Sequence, residues 1–254
     1  MPGATTRIDA PDGEKVGTIP VPRRKPVDIA ATALVARSPR PIARGQSLGF
    51  ALAALAGFTL LYALVSAKRS VAADLAITLR LQRRRAPWLS RLMVIASWPG
   101  FPPQSRLIPP LLVILFWAFG RRIEAFFQLL AWGIALLSTL AKAGMRRPRP
   151  AAPVVRVVTA RLGGTSFPSG HVLTYVGVYG FLASCLHTLP LPAWARRPLL
   201  AALYGLIALV GPSRIYQGHH WPTDVLASYL LGTSYLIGLT ALYHRAQRWQ
   251  DARR

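Results

Sequence analysis

Three short polar islands carry the residues of this chain best equipped for chemistry. The first runs from Lys142 to Pro150 and holds Lys142 and Arg149. The second is Pro168, Ser169, Gly170 and His171. The third sets Ser213 and Arg214 ahead of His220 and Asp224. Together they fit the needs of phosphoryl transfer. A phosphate ester resists attack because its oxygens are negative. A catalyst must neutralise that charge, present a nucleophile in line and protonate the leaving oxygen. Lys142, Arg149 and Arg214 suit the first task. A guanidinium presents a rigid fork of donors that matches two phosphate oxygens, and an ammonium adds a point charge. The competing reading is a set of cations snorkelling at helix ends, and it fits Arg146, Arg147, Arg156 and Arg161 equally well.

Ser169 and Gly170 open a helix. Serine is a good N-cap residue, glycine allows close backbone approach, and the free N–H groups of a first turn attract an anion. His171 in that turn is placed to give a proton to a leaving alkoxide. His220 has an imidazole lone pair for attack, and Asp224, four residues on, is placed to accept the other ring N–H. Pro222 suits the first helical position, which puts Asp224 in an opening turn, where an acidic side chain also suits the helix dipole. His219 is one residue out of register with Asp224 and is expected to be a bystander or a headgroup contact. His187 and His244 fall at the ends of apolar runs. No second carboxylate or close ligand pair accompanies these histidines, so no metal site is expected.

The elements that must position these islands are apolar. Of the 254 residues, 52% are hydrophobic and 15% are charged, against about 25% charged in soluble chains. No Asp, Glu, Lys, Arg or His lies between Arg44 and Lys68, and about 20 apolar residues suffice to span a bilayer. The expected fold is all-α: a polytopic membrane bundle of six transmembrane helices at Leu48–Ala67, Leu107–Gly120, Ala125–Ala141, Val172–Leu189, Leu199–Pro212 and Val225–Tyr243. Val71, Leu75, Leu79 and Leu81, interleaved with Arg80 and followed by Arg83, Arg84 and Arg85, predict an additional amphipathic helix at the interface. Pro99, Pro102 and Pro103 break the chain after it. Residues 1–46 are read as a basic, mostly disordered cytoplasmic tail, 47–243 as the membrane domain and 244–254 as a basic C-terminal tail. Six spans place all three islands on one membrane face. The Arg-rich tails and turns place the N-terminus in the cytoplasm and the islands at the outer compartment of an inner (plasma) membrane. The net charge of +23 favours anionic membrane lipids as partners over nucleic acid, for which no binding module is present. A single cysteine, Cys185, excludes an internal disulfide.

Lys142-x6-Arg149-Pro150, Pro168-Ser169-Gly170-His171 and Ser213-Arg214-x5-His220-x3-Asp224 resemble the three signature motifs of the type 2 phosphatidic acid phosphatase superfamily, which also includes the soluble vanadium haloperoxidases. The resemblance is close over about residues 120–243, and the span layout extends it to about residue 47. It implies a phosphate clamped by Lys142, Arg149 and Arg214 with help from Ser169 and Gly170, attack by His220 to give a phosphohistidine, and orientation of His220 by Asp224. His171 would protonate the leaving alcohol and then activate water. No metal or cofactor is implied. The implied activity is a membrane lipid phosphatase acting on a mono- or diphosphate such as phosphatidic acid, phosphatidylglycerol phosphate, undecaprenyl diphosphate or a lipid A phosphate. A phosphotransferase using an acceptor hydroxyl and a non-catalytic binder of anionic lipid are the alternatives. Arg83, Arg84 and Arg85 are expected to draw in anionic lipid or a second substrate phosphate.

Overall fold

A computed structural model describes residues 44–158 and 163–253. Of the tail expected over residues 1–46, residues 1–43 lie outside the described residues, as does Arg161, while residues 44–46 already belong to the first helix. Among those described, every regular element is helical. The order is α1 (Arg44–Ser66), α2 (Val71–Gln82), α3 (Pro87–Ser97) with a 3-10 turn at Trp98–Gly100, and α4 (Gln104–Ala118). Next come α5 (Arg122–Trp132) and α6 (Ile134–Gly144). A rod follows, made of α7 (Gly170–Thr174), a π-helical turn (Tyr175–Tyr179) and α8 (Gly180–Thr188). The chain closes with α9 (Ala193–Tyr216) and α10 (Pro222–Asp251).

Among the described residues, four helical stretches are long and apolar enough to cross a membrane: Gln46–Ser66, Arg122–Gly144, Ala193–Tyr216 and Pro222–Asp251; α4 is apolar but shorter. Leu52, Leu60, Trp117, Leu136, Leu226 and Leu242 stand exposed on these helices. Each such side chain left in water forfeits roughly 1.5–3 kcal/mol of burial, so lipid is the solvent that fits this surface. The protein is an integral membrane protein.

The prolines interrupt the bundle less than their sequence positions suggest. The fifth segment, expected over Leu199–Pro212, is the 24-residue α9, with Pro198 and Pro212 inside it. Pro212 cannot donate to the carbonyl one turn back. The Tyr229 hydroxyl enters this turn: it donates to the Ile207 carbonyl at 2.6 Å, lies 3.3 Å from the Ala208 carbonyl that Pro212 cannot serve, and accepts the Gly211 N–H at 3.0 Å. The third segment has the opposite fault, a break at Gly133 between α5 and α6. Tyr235 donates to the Leu130 carbonyl at 2.6 Å, and the π turn packs into the break, with Gly177 so close that an added Cβ would lie 2.8 Å from the Ala131 carbonyl oxygen. The last helix runs on past Tyr243 through the basic stretch to Asp251.

α2 departs most from expectation. Its buried line is polar: Asp74, Thr78 and Gln82, spaced four apart, face inward. Val71 and Leu79, two of the predicted apolar stripe, are exposed. What lies beneath α2 is the backbone and side chains of the motif loops rather than an apolar core, and buried polar groups there need polar partners. Gln82 donates to the carbonyls of Arg156 and Tyr216 and accepts the Arg156 N–H.

Candidate functional site

The three islands meet. A cavity of about 350 Å³ is lined by Lys142, Arg149, Gly170, His171 and His220, with Gly100 closing one side. Lys142 comes from the last turn of α6 and sits beside the start of α7; a Cβ on Gly170 would lie 3.7 Å from its Nζ. Ser169, Arg214 and Asp224 stand behind this lining, all fully buried.

His220 follows a tight reversal after α9. Gly218 makes that turn with φ +72°, and a Cβ there would strike the Arg156 carbonyl oxygen at 2.2 Å, so only glycine fits. The Arg214 carbonyl accepts the N–H groups of His219 and His220, tying the histidines to the end of α9. His220 Nδ1 lies 2.7 Å from the Ser166 carbonyl, and Arg149 Nη1 lies 3.2 Å from Nε2. A carbonyl accepts only, so Nδ1 carries the hydrogen and Nε2 keeps its lone pair. Burial holds His220 below the usual histidine pKa against the opposing pull of Asp224. The ring is therefore neutral near pH 7, with its free nitrogen turned toward the Arg149 guanidinium.

Asp224 is the third residue of α10, in the opening turn as expected, and accepts the Trp221 N–H at 2.8 Å, one half of a capping box. It also accepts the hydroxyl of Ser166. Its Oδ2 is 3.6 Å from His220 Nδ1, so the expected direct bond is replaced by contact through Ser166, whose carbonyl holds the ring and whose hydroxyl holds the carboxylate. Arg147 donates to Asp224 at 2.5 Å and to Asp74 at 2.5 Å.

The opposite side is composed differently. His171 packs edge-on against Phe101, ring centroids 4.8 Å apart, and its buried Nε2 has no hydrogen-bond partner among the described residues. Arg214 is wholly buried over the face of Phe101 at 4.7 Å. One nitrogen donates to Gln217 at 2.7 Å; Nε and Nη1 have no such partner. Ser169 occupies the N-cap position without making the expected side-chain cap. Its N–H goes to Ser228 at 2.7 Å, and its buried Oγ is unpartnered. His219 is a bystander to this cavity: it bonds the Val158 carbonyl at 2.7 Å.

Sequence reasoning missed four participants. Arg147 lay in the first island but could not be told from Arg146. Ser166 and Phe101 carried no signal beyond loop composition. Asp74 did carry one, a carboxylate in line with Thr78 and Gln82 on a helix otherwise apolar and basic.

The chain matches the PAP2 superfamily over residues 124–248. Phosphatidylglycerophosphatase B of Bacillus subtilis (strain 168) is 32% identical over 182 residues, covering 69% of this chain and 85% of that protein. The crystal structure of a transmembrane PAP2 type phosphatidylglycerolphosphate phosphatase from Bacillus subtilis matches with a TM-score of 0.66 at 27% identity, over 77% of this chain and 96% of that one. The crystal structure of Aquifex aeolicus LpxE matches with a TM-score of 0.52 at 25% identity, over 66% and 94% of the two chains.

Proposed function

From the premise that this chain belongs to the PAP2 superfamily, we propose that it is a membrane lipid phosphatase working through a phosphohistidine. The observation that carries this reading is the tautomer of His220, with Nδ1–H held by Ser166 and the Nε2 lone pair beside Arg149. Nε2 attacks phosphorus in line. The bond from phosphorus to the lipid oxygen breaks, and His171 gives its proton to the departing alkoxide. His171, now neutral, takes a proton from water as the water oxygen attacks phosphorus. The P–N bond breaks and inorganic phosphate leaves. Lys142, Arg149 and Arg214, with Ser169 and Gly170, hold the phosphate oxygens. The unpartnered nitrogens of Arg214 support its place in that clamp. Asp224 offsets the positive charge that His220 acquires.

The named relatives point to phosphatidylglycerol phosphate as the first substrate to try. The protein crosses the membrane six times, counting α4 and the α7–α8 rod with the four longer stretches, and the site faces the outer compartment. A second cleft, of about 630 Å³, lies between the end of α2 and residues 152–157 and includes Arg83, Arg85 and Arg156. Its charge suits an anionic headgroup or a second substrate phosphate.

The test is phosphate release by the purified protein in detergent, without added metal, from a panel of lipid mono- and diphosphates. Turnover of phosphatidylglycerol phosphate is expected. No release from any member overturns the reading. Labelled phosphate appearing on an acceptor lipid instead of in water makes the protein a phosphotransferase.

A further inference from the structure

Outside the motif islands, one carboxylate is built into the site from α2. Asp74 is buried, and all its oxygens are occupied. Oδ1 accepts the Thr223 N–H at 2.9 Å; Oδ2 accepts Arg147 Nη2 at 2.5 Å and the Thr223 hydroxyl at 2.8 Å. Arg147 in turn donates through Nη1 to Asp224 and to the Thr223 oxygen, and through Nη2 to Ser70 at 3.3 Å. One cation is thus shared between two buried carboxylates, and one of them lies 3.6 Å from the ring of His220.

The sharing has an electrostatic consequence. A guanidinium paired with Asp224 alone would cancel its charge, and a neutralised Asp224 does little for a histidine that turns cationic on attack. A guanidinium drawn equally toward Asp74 leaves the Asp224 side net negative in a low-dielectric setting, where that charge is felt strongly. We propose that Asp74 is a positioning residue of the reaction: by holding one end of Arg147 it keeps the charge of Asp224 available to His220. The inference rests on the phosphatase reading above. Asp74 does not line the cavity, so its influence falls on the chemical step and not on substrate binding.

The experiment is steady-state phosphate release by the full chain in detergent. The wild type is measured first on the lipid panel. No turnover there overturns the phosphatase reading, and this inference with it. With an active wild type, Asp74→Asn is expected to lower kcat about 10–100-fold with KM within about twofold, the pattern of a lost transition-state interaction. Asp74→Glu restores most of the loss. In an Asp224→Asn background, Asp74→Asn adds little, because its route of action is already gone. An unchanged kcat overturns the proposal. So does an equal loss in both backgrounds, which would make Asp74 only a strut between α2 and α10. If Asp74→Asn does not fold, Thr223→Val is the substitute: it deletes the hydroxyl shared by Arg147 and Asp74 and leaves every charge. It is expected to lower kcat about threefold at constant KM, and no change in kcat overturns the proposal.

Discussion

The two walls of the cavity differ in how their polar groups are satisfied. On the α10 side, Asp224 accepts from Arg147, Ser166 and Trp221, and both ring nitrogens of His220 are engaged. On the α7 and α9 side, His171 Nε2, Ser169 Oγ and two nitrogens of Arg214 are buried without a partner among the described residues. Leaving such a group unsatisfied costs about 1–3 kcal/mol, more for a charged one, so native structures rarely tolerate several together. The two walls divide the labour. The first wall fixes a nucleophile before any substrate arrives. The second keeps donors in reserve for the oxygens of a phosphate and its leaving group.

His220 is the sharpest place to break that division. His220→Ala is expected to lower kcat by at least about 10⁴-fold, as loss of a group that acts as one unit with its neighbours does. Its melting temperature in detergent should stay close to wild type, since the remaining bonds of Asp224 and Ser166 do not pass through the ring. A collapse of melting temperature together with activity would assign His220 to the fold.

His171 tests the reserve wall. His171→Ala is expected to slow release from a lipid phosphate about 10²–10⁴-fold, the range of general acid catalysis. An activated aryl phosphate, whose leaving group needs no proton, should lose far less in its phosphorylation step. Equal losses on both substrates would remove the acid role and leave His171 as a binding group. Gly100 sharpens the same point: a Cβ there would lie 2.2 Å from the His171 ring, so Gly100→Ala should displace the ring and reproduce part of the effect.

The cleft beside α2 gives a smaller contrast. Replacing Arg83, Arg84 and Arg85 by Gln is expected to raise KM about fivefold for a lipid carrying two phosphates, with KM for a monophosphate unchanged. Exposed charges are typically worth about 0.3 kcal/mol each, so three together correspond to about fivefold. Unchanged KM for both substrates would detach this surface from substrate capture.

The islands were legible because their chemistry depends on residue type and order, and Lys142, Arg149, His171 and His220 all line one cavity. The helical fold was legible from the apolar runs. What escaped was whatever depends on direction. Nothing local separates Arg147, clamped between two carboxylates, from Arg146 beside it. The apolar residues of α2 drew attention to its outer face, while Asp74, Thr78 and Gln82 formed the inner one, because the polar motif loops beneath the helix invert the usual pattern. The length of α9 was hidden by Pro212, where the Tyr229 hydroxyl of the following helix enters the interrupted turn.

The smallest effect concerns the histidine that neither wall uses. His219 bonds the Val158 carbonyl and is held at a pKa of about 4, first by burial and then by Arg214, against an ordinary value of 6.5. An unfolded chain therefore takes up a proton at this position at a higher pH than the folded one does. Between about pH 6.5 and pH 4 the unfolded state binds more protons, so stability rises with pH across that window and is lost as pH falls through it. His220, also held below its usual value, acts in the same direction. The melting temperature in detergent is expected to fall on acidification from pH 7 to pH 4. His219→Gln keeps an N–H for Val158 and removes one titration, so its profile should be flatter. At pH 7 its kcat should match wild type, because His219 gives its proton to a carbonyl and not to the substrate. An unchanged slope would mean that His219 titrates alike in both states; a fall in kcat at pH 7 would move it from the scaffold into the site.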